Sequence, residues 1–193
     1  QRTTLRNLPA GNLPTGDLEV GKVELGFPLP ALATEILTTT GHHLRERSPQ
    51  RQPLTEGRFE KVSMAGRPGF DASLLLSAGE PGFGFEHGEV YSVHVGWSGN
   101  SVLSAERQPY TTGLIGGGEV LLGGEATLAR GETYTTPWLY GSYGDGLNEV
   151  AARFHDYVRS CHPDLAVKPR PVILNTWEAV YFDHDYDTLK ALA

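Results

Sequence analysis

Two patterns of apolar and polar positions run along the chain, and they change near Ser142. Before that point, short alternating runs are separated by Gly, Pro and other turn formers, as in antiparallel strands. Val23, Leu25 and Phe27 alternate ahead of Pro28 and Pro30. Tyr91, Val93, Val95 and Trp97 share one strand face and lead into Ser98-Gly99-Asn100. Val120-Leu121-Leu122 stops at Gly123-Gly124. Ala126 to Ala129 and Thr133 to Trp138 flank Arg130-Gly131-Glu132 as the arms of a hairpin would. Many short strands at this spacing predict an antiparallel sandwich. Glu46 to Arg58 is mostly polar and reads as loop.

After Ser142 the period becomes helical. Leu147, Val150, Ala151, Phe154 and Val158 fall on one helix face, and Pro163 ends the helix soon after Cys161. Lys168-Pro169-Arg170-Pro171 is a stiff connector. The wholly apolar Val172-Ile173-Leu174 predicts a buried parallel strand. Asn175 to Asp183 reads as a loop, and Asp185 or Asp187 is placed to cap a helix that carries Leu189 and Leu192. One strand–loop–helix unit cannot bury both strand faces, so it is expected to open a βα repeat that continues past Ala193.

Composition narrows the function classes. The 193 residues include 24 Gly and 13 Pro, and 16 Lys+Arg against 23 Asp+Glu leave a net charge of −7. That balance argues against nucleic acid as a partner, since a phosphate backbone calls for a basic face. No run approaches the roughly 18 apolar residues of a membrane span, so no membrane partner is expected. Cys161 is the only cysteine, which excludes an intrachain disulfide and suits a cytoplasmic, reducing compartment. The first residues, Gln1-Arg2-Thr3-Thr4-Leu5, show neither a Met nor the apolar core of a signal peptide, and a start in mid-protein is expected. No cofactor is expected.

Several residues invite chemistry that their spacing does not support. Asp183, Asp185 and Asp187 alternate like metal ligands but lack the Gly and Glu of an EF-hand loop, and a helix start accounts for them. His42, His43, His94, His155 and His184 have no ligand spacing. Gly113 to Gly118 is glycine-rich but has no Lys-Ser/Thr after it, which argues against a phosphate loop. Arg45, Arg47, Arg51 and Arg67 form a locally basic stretch, expected to make ion pairs between domains or subunits.

A set of motifs resembles glycoside hydrolase family 36. Arg47-Ser48-Pro49-Gln50-Arg51, Pro81-Gly82-Phe83-Gly84, Val93-His94-Val95-Gly96-Trp97-Ser98-Gly99-Asn100 and Thr135-Thr136-Pro137-Trp138 stand in the order found in its bacterial α-galactosidases. Ala152-Arg153-Phe154-His155 and Arg170-Pro171-Val172-Ile173-Leu174-Asn175-Thr176-Trp177-Glu178-Ala179-Val180-Tyr181-Phe182-Asp183 follow, the last being the most specific. The resemblance covers roughly Leu18 to the end. It implies a mainly β fold: residues 1–142 as part of an antiparallel N-terminal β-supersandwich, 143–169 as a helical linker, and 170–193 as the first βα unit of a catalytic (β/α)₈ barrel. It further implies a tetrameric enzyme that removes terminal α-galactosyl groups from melibiose- and raffinose-type sugars with retention.

Retention needs two carboxyl groups about 5–5.5 Å apart. The family's nucleophile and acid/base motifs do not occur here, so no catalytic residue is assigned and both are expected downstream of Ala193. Trp177 follows the predicted barrel strand, where barrels place their active sites. By spacing alone its indole either meets a sugar face or packs the base of the loop; the resemblance places it in the sugar pocket. Asn175 is the second substrate-contact candidate, with loop bracing as its other reading. Glu178 is read as a loop-fixing acid, and Tyr181 and Phe182 as core or loop anchors. Other readings of the chain are a carbohydrate-binding or assembly β-domain without catalysis, and an enzyme specific for α-N-acetylgalactosamine. The strand and loop from Val172 to Phe182 favour the enzyme, because a free-standing β-module has no use for them.

Overall fold

A computed structural model describes residues 1–8, 16–70 and 75–193. In chain order its strands are β1 (Thr4–Arg6), β2 (Leu18–Glu19), β3 (Lys22–Leu29), β4 (Glu35–His42), β5 (Arg45–Pro53), β6 (Gly57–Ser63), β7 (Leu75–Gly79), β8 (Glu89–Gly96), β9 (Ser101–Arg107), β10 (Gly113–Val120), β11 (Thr127–Leu128), β12 (Thr133–Thr135) and β13 (Trp138–Asp145). Helices α1 (Leu147–Cys161), α2 (Trp177–Val180) and α3 (Tyr186–Leu192) follow, with a 3₁₀ turn at Pro163–Ala166. Two compact units result, Gln1–Phe154 and His155–Ala193, and α1 crosses the boundary between them.

The first unit is the predicted sandwich. A five-stranded sheet, β13-β8-β7-β4-β5, faces a four-stranded sheet, β3-β10-β9-β6, and every pairing is antiparallel. Alternation turns Ile36, Leu76, Val93, Val95 and Leu139 inward from the larger sheet. Leu25, Leu29, Leu103, Ala105 and Ile115 meet them from the smaller one. Full burial of each such side chain stabilises the fold by about 1.5–3 kcal/mol. Trp97 lies just past the end of β8 and remains exposed.

The outer face of β8 is also covered. Phe83, Val90 and Val150 form a second buried cluster, flanked by Leu37, Leu147 and Phe154. The expected apolar face of α1 is therefore used in its first half, while Val158 stays exposed. The turn from Pro81 to Gly88 seats the helix: Leu147 and Asn148 donate to the carbonyls of Gly84 and Phe85, each at 3.0 Å. First-turn N–H groups have no partner within a helix, so these loop carbonyls satisfy them. Glu149 reaches back to accept from the Asp145 N–H at 2.7 Å, as in a capping box. Gly146 adopts φ 89°, and a Cβ there would strike the Phe85 carbonyl.

Three expectations are corrected. The polar stretch Glu46–Arg58 is not loop: most of it is the edge strand β5, and its end enters β6. An edge strand needs only backbone bonds on one side, and solvent on the other tolerates polar side chains. The arms around Arg130-Gly131-Glu132 do not pair with each other. The tight turn forms, with Glu132 N–H bonded to Ala129 O at 3.0 Å, but β11 pairs with β2 and β12 with β1. Arg51, expected to pair between domains or subunits, is already engaged within the sandwich: it pairs with Glu35, donates to the Phe83 carbonyl at 2.7 Å and lies over the Phe83 ring at 4.4 Å. The glycine run Gly113–Gly118 lies within the central strand β10, upstream of the expected Val120–Leu122 segment. A Cβ on Gly117 would meet the Val102 carbonyl, Val95 Cγ2 at 3.0 Å and Leu103 Cδ2 at 3.2 Å, so glycine lets the two sheets approach.

Candidate functional site

The sequence candidates lie in the second unit, around the turn that follows the proline-rich connector. Val172-Ile173-Leu174, expected to be the first barrel strand, forms no strand within these 193 residues. Val172 and Ile173 are 101% and 82% exposed. A parallel strand draws all its ladder bonds from neighbours, and none among the described residues pairs with it.

Past Leu174 the chain bends around Asn175. The Asn175 side-chain oxygen accepts from the Trp177 N–H at 3.0 Å. This is the short-range bracing that Asn favours ahead of a turn, and it leaves the two amide N–H donors of Asn175 pointing outside that bond. Thr176 opens the one-turn helix α2, with its carbonyl accepting from Ala179 and Val180. The helix stops at Tyr181, whose φ of 47° breaks the helical path.

Trp177 is the centre of a small ring cluster. Tyr181 stands at 5.4 Å and 81° to its indole, and Phe182 at 4.9 Å and 88°. Edge-to-face contacts of this kind add about 0.5–1.5 kcal/mol each and fix ring orientation. The indole is still 46% exposed, so it is held but not enclosed. Tyr181 and Phe182 are loop anchors and not core, both being exposed. Tyr181 donates a long hydrogen bond, 3.5 Å, to Glu178, which ties that carboxylate to the loop.

The acids further along have structural work. Asp185 caps α3, accepting from the N–H groups of Asp187 and Thr188, each at 3.0 Å. The bonds from Thr188, and then from Asp187, hold its carboxyl below the usual carboxylate range. Asp187 sits in the first helical turn, where the helix dipole favours it. Among the described residues no three His, Cys, Asp or Glu side chains converge as metal ligands would. The structure thus brings Asn175, Trp177, Glu178, Tyr181 and Phe182 into one turn. The ring pair beside Trp177 was legible only as unspecified anchors, because aromatic contact within a turn has no fixed spacing.

Comparison with known proteins covers nearly the whole chain. The model of the glycosyl hydrolase family 36 N-terminal domain matches residues 1–129, and the melibiase model matches residues 133–193. An α-galactosidase of Escherichia coli is 35% identical over 170 residues, which are 86% of this chain and 24% of that protein. The galactosidase domain of AgaSK, an α-galactosidase-sucrose kinase of Mediterraneibacter gnavus, superposes with TM-score 0.80 at 27% identity, over 97% of this chain and 26% of that one. A raffinose complex of a variant of the family 36 α-galactosidase AgaA from Geobacillus stearothermophilus superposes with TM-score 0.72 at 25% identity, over 88% of this chain and 24% of the other. The chain spans about a quarter of the length of such relatives, or less.

Proposed function

Since the chain belongs to glycosyl hydrolase family 36, we propose that it is part of a retaining α-galactosidase, contributing β-domain and one wall of the sugar pocket. Residues 1–142 are assigned to the β-supersandwich, 143–169 to the linker and 170–193 to the opening of the barrel. The substrate is proposed to be a galactose-containing oligosaccharide of the melibiose or raffinose type, bearing a terminal α-galactosyl group. The observation that carries this reading is Trp177, an indole oriented by two neighbouring rings and left half open.

The roles follow from the chemistry of each group. A sugar ring has an apolar C–H face, and the open indole offers it a flat surface and one N–H donor. Asn175 positions the Trp177 backbone through its oxygen and keeps two N–H donors for a substrate hydroxyl. Glu178, bonded to Tyr181, is assigned to shaping the loop. Hydrolysis with retention takes a nucleophilic carboxylate and an acid about 5–5.5 Å from it, and we assign neither to an acid of this chain. The working protein is proposed to be a cytoplasmic homo-oligomer, a tetramer as the family resemblance implies.

The experiment is Trp177→Ala in the full-length protein, with an aryl α-galactoside as substrate. Transition-state binding should weaken by about 1–3 kcal/mol, the scale of a large side-chain contact surface. The 193 residues alone should not turn the substrate over. Unchanged kcat and KM in the variant would reduce Trp177 to a loop-packing residue, and turnover by the short chain that persists through repurification would return the catalytic acids to these residues.

A further inference from the structure

At one end of the sandwich the turns that join β3 to β4, β5 to β6, β7 to β8 and β9 to β10 come together. Two adjoining clefts open there, of about 460 and 370 Å³, and both are walled by Leu54, Glu56 and Arg107. Leu54 and Ala33 are buried and give the clefts an apolar floor. Backbone bonds fix that floor: Leu54 N–H to Thr34 O at 2.7 Å, Thr34 N–H to Gly79 O at 2.9 Å and Ala33 N–H to Pro30 O at 3.1 Å. A cleft held this way is formed before any ligand arrives, which lowers the ordering cost of binding.

The polar groups on its walls fall into two kinds. Glu35 is engaged, bonded to Arg51 and to the Gly82 N–H. Glu56 and Arg107 are not: among the described residues neither side chain has a hydrogen-bond or ion-pair partner. An acceptor and a donor of opposite charge thus line one cleft without a partner among the described residues. A cationic ligand meets Arg107 and an anionic one meets Glu56, so neither fits well. A neutral ring with adjacent hydroxyls suits both, since one hydroxyl donates to the carboxylate and its neighbour accepts from the guanidinium. Tyr110, fully exposed on the rim of the second cleft, adds an aromatic face, and Thr111 and Thr112 add hydroxyls. The volumes lie in the range of small-ligand sites and take about one or two sugar rings.

We propose that this end of the sandwich is a second carbohydrate-binding subsite, with Glu56 and Arg107 reading adjacent hydroxyls and Tyr110 covering the ring. It shares no residue with the Asn175–Asp183 turn. The proposal stands on the cleft itself and does not need the α-galactosidase reading.

The test is calorimetric titration of the full-length protein with raffinose, while 1-deoxygalactonojirimycin, a ligand crystallised with the relative AgaA, is held in excess to block turnover. Raffinose should still bind. Glu56→Gln and Arg107→Gln should each weaken that residual binding about three- to tenfold, the scale of one hydrogen bond. Tyr110→Ala should weaken it about threefold; its full exposure makes this variant safe for folding even if the other two are not. No residual binding overturns the proposal, as does residual binding that all three variants leave unchanged. A protein that fails to cleave aryl α-galactosides would overturn the enzyme reading alone, and the three variants would still decide whether raffinose binds at this cleft.

Discussion

Phe83→Ala is expected to loosen the first half of α1 while leaving the inter-sheet core in place. Phe83 is 1% exposed, and with Val90 and Val150 it forms the cluster that joins α1 to the outer face of β8. Removing a fully buried phenyl costs about 3–5 kcal/mol when the site cannot collapse. Collapse is hindered here because Arg51 is bonded to the Phe83 carbonyl at 2.7 Å and lies over the ring at 4.4 Å. The guanidinium–ring contact adds roughly 0.5–1 kcal/mol that alanine also forfeits. The reading is hydrogen exchange of the amides from Leu147 to Phe154. If these open locally, a loss of about 3–5 kcal/mol accelerates exchange by roughly two to three and a half decades. Phe85→Ala, on the same turn but 69% exposed, is the control and should stay within about 0.5 kcal/mol. Equal acceleration in the two variants would refute the claim that the buried ring, and not the turn as a whole, holds the helix.

Two further outcomes follow from the sheets. Gly117→Ala should destabilise the sandwich by about 1–3 kcal/mol in a urea titration, because the new methyl meets Val95 at 3.0 Å and a backbone carbonyl it cannot move; a neutral result would show that the sheets have slack. On the outer face of the smaller sheet, Lys22 and Arg58 both pair with Glu24. Burial pushes the Glu24 carboxyl up, but the bonds from the two cations outweigh it and hold it below the usual range. A depressed folded pKa means stability that is full above the unfolded value and lost as pH falls through the folded one. The urea midpoint should therefore drop on acidification below about pH 4.5, and Glu24→Gln should flatten that drop by about 0.2–1 kcal/mol, the worth of a partly exposed pair.

The sandwich was legible where burial alone chose the side chains. Val93 and Val95 face one core, and alternation states as much. Strand β5 was not legible, because an edge strand in solvent leaves no apolar signature. Nor was β10, whose glycines answer to the distance between sheets and carry no pattern of their own. Arg51 was legible only as an ion-pair former, because Phe83, whose carbonyl and ring it holds, is 32 residues away. At the candidate site, Asp185 as a cap could be read from its place before an apolar pair. The hold of Tyr181 and Phe182 on Trp177 could not, since it depends on a backbone turn at positive φ. Val172 to Leu174 carry the local propensity of a strand, but a ladder takes two, and the described residues offer no second strand to pair with them.

That bare triplet has a practical side. In the 193-residue chain by itself, three consecutive β-formers with unpaired backbones offer an edge to another copy, although the run is shorter than the roughly five to seven residues of an aggregation nucleus. The neighbouring Pro169-Arg170-Pro171 moderates the hazard, because proline halts the growth of an intermolecular ladder and the guanidinium charge repels its own copies. Any such tendency belongs to the short chain alone and should vanish where further barrel strands pair with the triplet.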